Sequence, residues 1–225
     1  MKVGVLFSGG KDSTLAMHIA EHYGYEVKYL LTVETTNPYS YMYHYPAINL
    51  TYLQAKALNK EIIKTTTTQP KEKELHALKK IIKKAKSKGI EGIITGAIRS
   101  TYQAERIQKI ALQEGIEVFN PLWLKSDEEI LNLLEKYNIK AVITRVAAYP
   151  LTQDFLGKEI LEIKDKLLEM KKKYGVSAVG EGGELETFAV CGELFHKCIE
   201  IKKADIEWKN YEGNMIIRKA VLTSK

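Results

Sequence analysis

Apolar positions switch period several times along the first part of the chain. Val3, Val5 and Phe7 alternate as a buried strand does, and Leu15, Ala16, Ile19, Ala20 and His22 then mark one helix face closed at Gly24. A second strand is expected over 27–33, a short helix around Leu50, Leu53, Ala57 and Leu58, and a third strand over 61–64. Leu75, Leu78, Ile81, Ile82 and Ala85 step by three and four, which predicts an amphipathic helix. A strand over 92–96, a helix over 100–114, a strand over 117–119, a helix after Ser126 and a strand over 141–144 complete the series. Strands alternating with helices predict crossover units and an α/β, doubly wound, mostly parallel sheet covered on both faces.

The pattern changes near 146–155. One helix is expected from Lys158 to about Lys173, ended by Gly175, and the rest is strand-like over 187–190, 198–201, 206–208 and 215–221. This predicts two units: an α/β nucleotide-binding domain over 1–146 and a smaller α+β domain over 147–225, expected to recognise substrate.

Composition narrows the classes. The 225 residues are 45% hydrophobic and 28% charged, as in globular proteins and unlike disordered ones. No apolar run approaches the roughly 18 residues a membrane span needs, and the N-terminus runs directly into a strand, so neither a membrane partner nor a secretory signal is expected. Cys191 and Cys198 supply no disulfide framework and match no zinc or redox spacing; they read as small buried apolar residues. A cytoplasmic protein is the expectation. The net charge of +6 permits contact with RNA without requiring it, as does the lysine face of the 71–88 helix. A homodimer is equally left open.

The sharpest local signal is Ser8-Gly9-Gly10-Lys11-Asp12-Ser13, between the first strand and the first helix. Two glycines let the backbone turn tightly and bring N–H groups against an anion, at the positive end of a helix dipole. Ser8 and Ser13 add hydroxyl donors and Lys11 a compact positive charge. Asp12 suits bare phosphate poorly, so it either holds Mg²⁺ or caps the helix. The run is neither the Walker sequence nor the dinucleotide glycine fingerprint.

In a doubly wound sheet the ligand lies beyond the carboxyl ends of the strands, where strand order reverses. Val33, Gly96 and Arg99 stand at such ends. Val33 offers backbone groups to an adenine edge, and Arg99 can fork onto phosphate oxygens. Gly96 either admits adenine or ribose or simply ends its strand. Ser100, Tyr102 and Gln103 open the next helix. Tyr41, Tyr43, His44 and Tyr45 lie in a loop whose alternating tyrosines form either packed core or an aromatic wall for a cation. Finally, Gly180-Glu181-Gly182-Gly183-Glu184-Leu185-Glu186-Thr187 crowds three carboxylates among three glycines. Such a run is unfavourable unless a cationic substrate, ammonium or Mg²⁺ sits among them.

The phosphate loop resembles that of the PP-loop ATP pyrophosphatases, which include GMP synthetase, asparagine synthetase and tRNA-modifying enzymes. Taken with 41–44, Gly96-Ala97, 100–103, Asn120-Pro121-Leu122-Trp123 and the acidic glycine stretch, the order of motifs resembles the archaeal and eukaryotic diphthine–ammonia ligase family from residue 1 to about 201. Where that family often carries an aromatic residue in the glutamate stretch, this chain has Leu185. The resemblance implies an adenine nucleotide alpha hydrolase-like fold, with ATP and Mg²⁺ as cofactors. It also implies diphthine-bearing translation elongation factor 2 and ammonium as partners, and amidation through an adenylated carboxylate, releasing AMP and pyrophosphate. On this reading Lys11, Asp12, Glu184 and Glu186 carry catalysis, with Asp12 on the metal. Ser8, Gly9, Gly10, Lys11, Asp12, Ser13, Val33, Gly96 and Arg99 hold ATP. Tyr41, Tyr43, His44, Tyr45, Ser100, Tyr102, Gln103, Glu181, Gly182, Gly183, Glu184 and Glu186 meet the acid or the cation. A PP-loop ligase that modifies tRNA through RNA adenylation is the rival reading.

Overall fold

The computed structural model describes residues 1–35, 47–67 and 71–225. Five short strands form one parallel sheet: β1 (Lys2–Leu6), β2 (Glu26–Thr35), β3 (Glu61–Thr67), β4 (Gly92–Ile94) and β5 (Glu117–Phe119), in the order β3-β2-β1-β4-β5. The order reverses between β1 and β4, so the ends of both strands open onto one crevice. The helices are α1 (Lys11–His22), α2 (Thr51–Ala57), α3 (Lys71–Ser87), α4 (Thr101–Gln113), α5 (Asp127–Lys136) and α6 (Lys164–Tyr174). The apolar stripe of α3 (Leu78, Ile81, Ile82) packs with Ile107 and Ile110 of α4 against Leu31, Ile63 and Ile93, covering one face of the sheet.

The strand expected to close the parallel series does not do so. β6 (Lys140–Val146) lies in a second, antiparallel sheet with β7 (Leu185–Cys191), β8 (Cys198–Lys209) and β9 (Glu212–Thr223), ordered β7-β6-β9-β8. A short apolar run such as 141–144 reads the same in either setting. The helix expected from Lys158 begins later because residues 157–160 run beside β6, where Ile160 N–H donates to Ala141 O and Ile143 N–H to Lys158 O. Its end is as expected, with Gly175 left-handed at φ 74°.

The two sheets share a core. Val3, Val5, Leu15 and Met17 belong to the same buried cluster as Ile143, Phe188 and Phe195. α1 is therefore packed between the sheets, touching β1 and β2 on one side and β7 on the other. His18 of α1 is buried within this layer: its Nδ1 donates to Thr14 O (2.8 Å) and its Nε2 accepts from Leu194 N–H (3.1 Å). That pairing needs the neutral ring, and burial lowers the His18 pKa. The cysteines are not the separate apolar residues expected: Cys191 and Cys198 are joined as a disulfide, Cα–Cα 4.7 Å, clipping the end of β7 to the start of β8. Among the described residues no helix is long and apolar enough to cross a membrane.

Candidate active site

The turn after β1 builds the first wall. Gly9 adopts φ +82°, which a side chain would strain, and Gly10 is the residue before α1. Gly10 N–H donates to Ser8 Oγ (3.3 Å) and Lys11 N–H to Thr187 Oγ1 (3.0 Å), while Ser13 Oγ donates to Gly10 O (3.1 Å). Lys11 is buried and its Nζ lies 2.8 Å from Asp12 Oδ2. Because Gly10 occupies the N-cap, Asp12 stands in the first turn and does not cap the helix. Its Oδ1 is buried with no hydrogen-bond partner among the described residues, as a group awaiting a cation would be.

The second wall is the acidic glycine stretch entering β7. Glu181 accepts from Arg99 N–H (2.8 Å), and burial together with the charge of Asp12 raises its pKa above the ordinary carboxylate value. Together the walls enclose a cavity of about 410 Å³. Ser8, Gly10, Lys11, Asp12 and Ser13 line it on one side, and Glu181, Gly182, Gly183, Glu186 and Thr187 on the other. Val33, Gly96, Ser100 and Gln103 line the strand-end rim, with Leu31, Ile48, Leu78 and Ile107 forming an apolar end.

Four expected site residues lie off this lining, each for a visible reason. Gly9 turns its carbonyl away, where Ala189 N–H (2.9 Å) and Gln54 Nε2 (2.7 Å) bond it. The Arg99 guanidinium, expected on phosphate, instead donates to Lys125 O (2.9 Å) and lies 3.4 Å from Asp127 Oδ1; only its backbone serves the site. Glu184, expected in catalysis, folds its own loop by accepting from Gly182 N–H (2.7 Å) and Ser177 N–H (3.2 Å). Tyr102 lies under the Arg106 guanidinium, 3.3 Å from ring centre to carbon. Gly96 does line the cavity, but the group packed most closely on it is the backbone of Asp12 and Ser13. Tyr41, Tyr43, His44 and Tyr45 lie outside the described residues.

Three residues that were not among the expected site residues organise the site. Thr187 carries a hydroxyl from the second sheet to the mouth of α1. Asp127, 1% exposed, accepts from Ala178 N–H (2.7 Å) and Ser177 Oγ (3.0 Å), with Lys171 Nζ at 2.7 Å. Burial pushes its pKa up, but Lys171 and these hydrogen bonds outweigh that and hold the carboxyl below its ordinary value. Ser126 caps α5 with a reciprocal Glu129 bond, and that Ser-x-x-Glu signature was available to place Asp127 at the helix start. The third is Gln54, in α2. It sits one turn after Leu50 and one residue after Leu53, on the apolar stripe where a polar side chain calls for a partner.

The comparison with known proteins decides the family. The diphthamide synthase N-terminal domain matches residues 1–118, and the diphthamide synthase C-terminal domain matches 125–223. The chain belongs to the diphthamide synthase family. The C-terminal match reaches well past residue 201, where the motif resemblance ends. The chain is 36% identical to the diphthine–ammonia ligase of Mus musculus, over 91% of this chain and 84% of that protein. It is 33% identical to that of Rattus norvegicus, over 91% and 84%. Among solved structures it is similar to a predicted subunit of tRNA methyltransferase from Methanocaldococcus jannaschii, with TM-score 0.46 and 19% identity over 86% of this chain and 98% of the other.

Proposed function

We propose that the chain joins ammonia to the carboxylate of diphthine on translation elongation factor 2, splitting ATP to AMP and pyrophosphate. The family supports the ligase chemistry. The observation that carries the reading is the single cavity whose opposite walls are a phosphate loop and a carboxylate-rich glycine loop.

A carboxylate is a poor electrophile, so its oxygen must first become a leaving group. Transfer of AMP from ATP to that oxygen expels pyrophosphate, and ammonia then displaces AMP to leave the amide; acid, ATP and ammonia balance against amide, AMP, pyrophosphate and a proton. Ser8, Gly10, Lys11 and Ser13 supply donors for the departing pyrophosphate at the positive end of α1. The apolar end at Leu31, Ile48 and Ile107 suits the adenine ring. Mg²⁺, when bound, neutralises polyphosphate charge. Asp12, whose Oδ1 is buried with no hydrogen-bond partner among the described residues, would be a ligand to it, with water and phosphate oxygens supplying the rest. Glu181 and Glu186 face the same space as carboxylates suited to the trimethylammonium group of diphthine or to incoming ammonium.

The test is to incubate the protein with ATP, ammonium and elongation factor 2 bearing diphthine. The expected product is AMP together with a mass change matching replacement of a hydroxyl by an amino group on the factor. AMP without an amide, or no turnover, contradicts the proposal.

A further inference from the structure

We propose that Gln54 is a positioning residue for nucleotide binding, holding the phosphate loop in its binding shape through the carbonyl of Gly9 without touching the nucleotide. The proposal rests on the reading that this loop binds ATP.

Gln54 is fully buried in α2, and its one amide group bridges two separate pieces of backbone. Nε2 donates to Gly9 O at 2.7 Å and to Ala189 O at 2.8 Å, while Ala189 N–H donates to the same Gly9 O at 2.9 Å. The phosphate loop, α2 and β7 are thus closed into one ring of hydrogen bonds. The peptide unit between Gly9 and Gly10 is planar and trans, so its carbonyl and its N–H point in opposite directions. Anchoring Gly9 O toward Gln54 therefore turns the Gly10 N–H the other way, to the side of the cavity-lining Ser8, whose Oγ accepts from it. The ring fixes a donor that phosphate would use. Gly9 also has no room for a side chain, because the nearest atom to an added Cβ is Gln54 Oε1.

The decisive variant is Gln54→Glu. An ionised carboxylate cannot donate and would face two carbonyl oxygens, whereas the protonated acid regains one O–H donor. ATP binding is measured by calorimetry across a pH series, each value taken relative to wild type at the same pH, with Gln54→Leu as a variant that cannot donate at any pH and melting followed for each protein. The expected result is ATP affinity about tenfold weaker for ionised Gln54→Glu, recovering as pH falls, and equally weak at every pH for Gln54→Leu. The KM for ammonium should stay at its wild-type value in both. If wild type binds ATP and both variants bind it equally well, the role of Gln54 is overturned while the nucleotide reading stands. The same holds if melting temperature and every kinetic constant fall together with no recovery at low pH, because Gln54 is then only a folding residue. Wild type that binds no ATP overturns the nucleotide reading and this proposal with it. Wild type that binds ATP but makes no amide sinks the ligase reading alone, and the titration still judges Gln54.

Discussion

A methyl group added to Gly96 would lie 2.8 Å from both the carbonyl carbon of Asp12 and the nitrogen of Ser13. Both are backbone atoms of the first turn of α1, which cannot rotate aside as a side chain would, so the helix mouth must move. Gly96→Ala is expected to cost about 1–3 kcal/mol of stability, in the range of other overpacked sites, and to weaken ATP binding. Thermal melting beside an ATP titration checks this; an unchanged melting temperature would show that the rim accommodates a side chain. The sequence marks Gly96 as a strand-end glycine but cannot say whether a ligand or a helix presses on it, since that depends on a partner 84 residues away in the chain. The same limit applies to Arg99 and Glu184. Their charge makes them plausible ligands for phosphate and cation, yet Asp127, Ser177 and Gly182 already take their side chains. The phosphate loop was legible because its glycines, hydroxyls and lysine are neighbours in sequence, whereas Gln54 and Thr187, which brace it, stand far away in the chain.

α1 joins this loop to both sheets, and His18 makes that joint dependent on pH. The unfolded ring titrates near its usual value of 6.5, whereas burial lowers the folded value. Between the two, the unfolded chain binds more protons. The stability contributed by neutral His18 is therefore fully present above 6.5 and is lost as pH falls toward the folded pKa. Denaturant unfolding followed downward from pH 6.5 should lose up to about 1.4 kcal/mol per pH unit through this group, and a His18→Gln variant should lose less. Equal slopes in the two proteins would assign the effect elsewhere. Long periodic helices such as α3 and α4 stand close to where the apolar pattern puts them. Strands were harder to delimit: residues 198–201 and 206–208 read as two strands but are one, β8, because register irregularities between Ile201 and Ala204 break the alternation.

The two sheets meet at the phosphate loop. β7 bonds the loop at Gly9 O through Ala189 and at Lys11 N–H through Thr187, and one buried cluster runs beneath both sheets. The acidic glycine stretch can therefore confront the loop across a single cavity, an arrangement that depends on contacts between residues about 180 apart in the chain. The parts and their chemistry are legible in the sequence, whereas the antiparallel pairing of β6 with β7 depends on contacts between distant segments.

That confrontation predicts where ATP is cut. On the proposed reading the loop holds pyrophosphate and the acid takes the innermost phosphorus. Phosphorus NMR of the complete reaction, with protein substrate and ammonium, should show AMP and pyrophosphate appearing in step with the amide. ADP and inorganic phosphate in their place would contradict the account, because the nucleotide would then be broken at its far end.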